Sequence, residues 1–67
     1  MTTIDQTNRE ILEYLKQGLT LKEIAPRVYL SYDAVNARLD KLRLSQNAKN
    51  NTELVVKYVT WQLKQAS

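Results

Sequence analysis

The sequence predicts an all-α domain, and three observations carry that prediction. Apolar residues recur at helical spacing in four separate stretches, and a capping Asp, Thr, Ser or Asn stands ahead of each. Hairpin chemistry is nearly absent, with one Gly and one Pro in 67 residues. The expected helices span about 5–17, 21–28, 32–45 and 51–64. A chain of this length makes one domain, residues 1–67, and buries only about 60% of the surface that its unfolded form exposes, so its stability is modest.

Asp5 caps the first helix, which places Ile4, Ile11, Leu12 and Leu15 on its buried side and Glu10, Glu13 and Lys16 outside. Gly18 ends it, because glycine accepts the left-handed conformation just past a helix without a steric penalty. The next start follows at once. In Leu19-Thr20-x-x-Glu23-Ile24 the Thr hydroxyl and the Glu carboxylate can each satisfy a backbone N–H of the other, while Leu19 and Ile24 staple the helix start. Pro26, in the second turn, removes one backbone bond and crowds the preceding carbonyl, so this helix is kinked or cut short there. Leu30-Ser31-x-x-Ala34-Val35 then repeats the staple and the capping hydroxyl, with Asp33 suited to the positive end of the helix dipole. Two short helices at a tight turn result.

On the third helix Val35, Leu39 and Leu42 form one narrow stripe that faces the core. Gln46 falls on the same stripe, so the helix ends near 44–46 or the amide finds a backbone partner, because an unpaired buried amide costs about 1–3 kcal/mol. Asn36, Ala37, Asp40, Lys41 and Leu44 lie on the opposite side, flanked by Arg38 and Arg43, and this is the face available to a partner. Asn47 tolerates a positive φ, and Asn50-Asn51-Thr52-Glu53 supplies a further cap. In the fourth helix Leu54, Val55, Val56, Tyr58, Val59, Trp61 and Leu63 sweep more than half the circumference. One core contact does not need so wide a face. A second copy of the chain can cover Val55, Val56, Val59 and Leu63 in a twofold dimer, the small core can wrap this helix more completely than usual, or a domain beyond this sequence can cover it.

The chain has no cysteine and no histidine, which excludes a disulfide scaffold, Cys/His zinc sites and thiol or imidazole catalysis. With no Gly-rich phosphate loop and no paired carboxylates either, no enzyme activity and no cofactor are expected. Apolar runs stop at three residues, far below the ~18 that span a bilayer, and no signal-peptide pattern opens the chain. A cytoplasmic protein without a membrane partner is expected. Net charge is +3, and residues 1–34 carry four basic and five acidic groups against six and two in residues 35–67. A modest basic excess fits a nucleic-acid or acidic partner, although many soluble domains carry as much.

Taken in order, these motifs resemble the LuxR/GerE-type helix-turn-helix domain over essentially the whole chain. The resemblance runs through Tyr14-Leu15-Lys16-Gln17-Gly18, Thr20-Leu21-Lys22-Glu23-Ile24-Ala25, Leu30-Ser31-x-x-Ala34-Val35 and Asn50-Asn51-Thr52-Glu53-Leu54-Val55. The σ-factor region that reads promoter −35 elements has similar spacing in helices two and three, and the match through helix four favours the LuxR type. The resemblance implies a bacterial transcription regulator of the two-component or ligand-sensing kind, with this domain standing alone or as the C-terminal part of a longer chain. Its third helix would enter the major groove of double-stranded DNA and its fourth would form a homodimer through Val55, Val56, Val59 and Leu63. Asn36, Ala37, Asp40 and Lys41 would face base edges, while Lys22, Ser31, Tyr32, Arg38 and Arg43 would position the DNA backbone. RNA polymerase or an N-terminal receiver or sensor domain are further partners that it implies. Ala34, Asn36 and Asp40 stand where the family carries Thr, Lys and a basic residue, so the reading face is less basic than the family's. A module used for protein contact, with weak or no DNA binding, is the alternative.

Overall fold

Three left-handed residues set the course of the chain. The computed structural model describes residues 4–66 as four helices, α1 (Gln6–Lys16), α2 (Leu21–Arg27), α3 (Tyr32–Ser45) and α4 (Asn51–Ala66), and no strand occurs among the described residues. Gly18 (φ 93°), Tyr29 (φ 57°) and Asn47 (φ 57°) each stand just past the C-cap of α1, α2 and α3. At all three ends the N–H one residue further on reaches back five positions: Leu19 to the Tyr14 carbonyl at 3.1 Å, Leu30 to Ala25 at 3.1 Å and Ala48 to Arg43 at 2.8 Å. The left-handed residue itself donates to Leu15, Pro26 and Leu44 respectively, at 2.9, 3.4 and 3.3 Å. This paired closure, the Schellman motif, satisfies carbonyls that a helix end otherwise leaves without partners. Each closure also turns an apolar residue, Leu19, Leu30 or Ala48, back onto the core.

Every stop is followed promptly by a start. Asp5 Oδ1 accepts from the N–H groups of Thr7 (2.8 Å) and Asn8 (3.4 Å). The reciprocal box of α2 is complete: Glu23 N–H donates to Thr20 Oγ1 at 3.3 Å and Thr20 N–H to Glu23 Oε1 at 2.9 Å. Ser31 Oγ accepts from Ala34 N–H at 3.1 Å, and Asn50 Oδ1 from Glu53 N–H at 2.8 Å. The helices fall within two residues of their expected bounds. Asp5 and Gln17 act as caps rather than as parts of α1, and α4 continues to Ala66 because neither Gly nor Pro interrupts it. Pro26 lies inside α2, which ends at Arg27 with Val28 as its C-cap, and the proline carbonyl is used in the closing turn. Gln46 is the C-cap of α3, so the helix ends before its amide would enter the core.

The core is built from all four helices: Ile11 and Leu12, Ile24 and Ala25, Val35 and Leu39, Leu54 and Tyr58. Ile4, Leu15, Leu42 and Trp61 pack against it half-buried. Glu13 departs from expectation. Rather than standing in solvent, its carboxylate ties α1 to α4, accepting from the Tyr58 hydroxyl at 2.5 Å and from Gln62 Nε2 at 2.6 Å, with Lys16 Nζ 2.9 Å away. Beside it the Arg9 guanidinium lies 5.5 Å from the Trp61 ring centroid, and Trp61 stacks on Tyr58 at 6.0 Å. The single sequence signal for this clamp was the tyrosine hydroxyl on an otherwise apolar helix stripe, which needs a partner once buried.

The clamp titrates at both ends of the pH range. The Tyr58 hydroxyl bond, then Lys16, hold the Glu13 carboxyl below its usual 4.5, while burial and then the Glu13 bond push Tyr58 up to about 12. A depressed carboxylate stabilises the fold above its unfolded value and loses that contribution as pH falls through its folded value. A raised phenol contributes fully below its unfolded value of about 10 and loses its contribution as pH climbs towards 12. In urea melts across pH, Tyr58→Phe is expected to remove the decline above pH 10 and to soften the decline on the acid side. Gly18→Ala is expected to cost about 1 kcal/mol in the same assay. A Cβ at Gly18 meets nothing within 4 Å, so that cost comes from the backbone conformation alone, and Gly18→Asn should lose less.

Candidate nucleic-acid interface

The closing turn after α2 delivers the chain directly to the Ser31 cap, so α3 starts at a position fixed by α2. Val35 and Leu39 anchor it in the core. On the far side Asn36, Ala37, Asp40 and Lys41 are all exposed, as the heptad-like spacing of the buried residues requires, and they share that side with Asp33 and with Leu44, which is 86% exposed. Ser31 spends one of its two oxygen lone pairs on the cap and keeps its hydroxyl proton for a partner. Tyr32, the first residue of α3, is half exposed, and Lys22, the second residue of α2, is exposed.

The two flanking guanidiniums are already engaged within the chain. Arg38 Nη1 donates to Asn8 Oδ1 at 3.0 Å and lies 3.6 Å from Asp5 Oδ1, which ties α3 to the start of α1. Arg43 pairs with Asp40, one turn earlier on the same helix, and also donates to Asn51 Oδ1 at the start of α4. Both arginines therefore brace the helix on which they stand. Asp40 is 56% exposed, and an ion pair so open to solvent contributes at most about 1 kcal/mol, within reach of competition by a phosphate. The sequence carried the i, i+3 spacing of Asp40 and Arg43, but nothing local to α3 could show that Asn8 and Asn51 would supply the other partners.

On α4 the candidate dimer residues divide by exposure: Val55 and Val59 are half-buried, while Val56 and Leu63 are 59% and 67% exposed. Thr52, Val56, Val59, Leu63 and Ala66 follow one another at intervals of four, three, four and three. That is the spacing of a helix–helix seam, and no charged residue interrupts it.

Tyr29 also stands out beside this face. It is 93% exposed and left-handed, in the turn between α2 and α3. A signal existed, since Gly18-Leu19-Thr20 and Tyr29-Leu30-Ser31 place a stop, an apolar residue and a cap in the same order.

Residues 4–45 match the family described as winged helix-turn-helix DNA-binding, a span that ends on the last residue of α3 and does not include α4. No curated protein and no solved structure matches the chain. The match covers more than half of the sequence and contains both helices of the turn with the face described above, and the chain belongs to the winged helix-turn-helix DNA-binding family.

Proposed function

We propose that the protein binds duplex DNA sequence-specifically in transcription regulation, without catalysis, with α3 in the major groove and α4 pairing two copies. The observation that carries this reading is the exposed face of α3, presented by a complete helix-turn-helix frame within the family match. Asn36 offers the donor and acceptor that pair with the adenine edge, Asp40 can accept from a cytosine amino group, Lys41 can donate to guanine, and Ala37 allows close approach or touches a thymine methyl. Lys22, Ser31, Tyr32, Arg38 and Arg43 are the backbone-positioning set. Pairing through Val55, Val56, Val59 and Leu63 would set two reading helices about one turn of DNA apart on a palindromic site. What supports the LuxR/GerE type is α4, a further helix directly after α3, with no strand among the described residues. A regulator in which this domain follows a receiver or sensor is consistent with that type.

One observation favours a second reading. Asp33, Asp40 and the exposed Leu44 lie on the α3 face beside Lys41, so the face is close to neutral and carries apolar area that suits a protein partner, such as polymerase or a receiver domain.

Fluorescence anisotropy with duplex DNA between 50 and 200 mM salt separates the two. The proposal expects binding whose salt slope falls by about one for Lys22→Ala, while Lys41→Ala relaxes discrimination between duplex sequences and Asp40→Ala releases Arg43 and steepens the slope by about one. No binding at the lowest salt would leave only the protein-contact reading. For the dimer, sedimentation equilibrium is expected to give twice the chain mass and Leu63→Glu to return the monomer, while a monomer on a palindromic duplex would remove α4 pairing.

A further inference from the structure

Tyr29 has no structural reason to be where it is. Its backbone sits at φ 57°, a conformation in which an L side chain crowds its own carbonyl and which glycine adopts without cost. The chain uses glycine for the same duty after α1 and asparagine, the next most tolerant residue, after α3. A tyrosine at the middle stop gains nothing in return from the fold. It is 93% exposed, and among the described residues its side chain makes no hydrogen bond and no ring contact. A strained, bulky and wholly exposed aromatic is maintained against local preference, and a backbone outlier of this kind points to a use outside the fold.

We infer that Tyr29 is a DNA-backbone contact, its hydroxyl donating to a phosphate oxygen at the edge of the groove that α3 enters while its ring lies against the adjoining sugar. The inference rests on the DNA-binding reading proposed above. In a helix-turn-helix the second helix enters the groove by its N-terminal end and the first crosses the backbone, so the turn between them lies at the groove edge. Tyr29 is that turn, two residues before the Ser31 cap of α3. Tyrosine is among the side chains that donate to phosphate, and being uncharged it positions the protein without releasing a counterion.

The test sets stability against affinity. Tyr29→Gly is expected to raise Tm by a few degrees, through relief of the left-handed strain, and to weaken duplex binding about tenfold, evenly across duplex sequences and with the salt slope unchanged. Tyr29→Phe should keep the wild-type Tm and lose most of the same affinity, which assigns the effect to the hydroxyl. If wild-type protein binds duplex and Tyr29→Gly binds equally well, the inference is overturned and the proposed function stands. If affinity and Tm fall together, Tyr29 serves the fold and the inference is likewise overturned. If wild-type protein binds no duplex at low salt, both fail together.

Discussion

The geometry of this domain depends on one repeated constraint: a helix closed by a left-handed residue, an apolar residue folded back onto the core, and a capping side chain that begins the next helix. It operates after α1 with Gly18, Leu19 and Thr20, after α2 with Tyr29, Leu30 and Ser31, and in looser form after α3 with Asn47, Ala48 and Asn50. Each closure meets the hydrogen-bonding needs of the helix that ends and of the one that begins within a few residues. The connections are therefore short and fixed in direction. With only eight buried side chains in the core among the described residues, the direction in which α3 leaves α2 is set as much by these closures as by packing. The face that α3 presents follows from that direction.

How far this was legible in the sequence depends on how local the signal was. Caps, the glycine stop and the Val35–Leu39–Leu42 stripe are short-range patterns with a mechanism behind each residue, and they placed four helices within two residues. The left-handed Asn47 was legible for the same reason. Tyr29 was not, because tyrosine carries no preference for that conformation and the parallel with Gly18 shows only when the two stops are aligned on their caps. The Glu13–Tyr58–Gln62 clamp and the Arg38–Asn8 and Arg43–Asn51 bonds join residues on different helices, and periodicity along one helix contains no information about them. What the exposed residues of α3 could offer a partner was legible only as a set of donors and acceptors.

The charge arrangement on α3 links stability to recognition. Arg38 and Arg43 brace α3 against α1 and α4 through partners that are themselves partly exposed, so the same guanidiniums are held in place without being sequestered. Asp40 lowers the positive potential of the face and at the same time holds Arg43 in position. On the proposed reading, such a face would give up nonspecific attraction to phosphate and leave a larger share of the binding to direct contacts with base edges.

The central claim is that the closures hold α3 so that Asn36, Ala37, Asp40 and Lys41 meet a DNA groove. The most direct measurement is a titration of isotope-labelled protein with a duplex selected from a random library, followed by NMR chemical shifts of the backbone amides and of the Asn36 side-chain amide. The account predicts that the largest changes fall on residues 29–41 and on Lys22, while the buried positions Ile11, Leu12 and Tyr58 stay in place. Changes confined to α4, or none on α3 at saturating duplex, would contradict it.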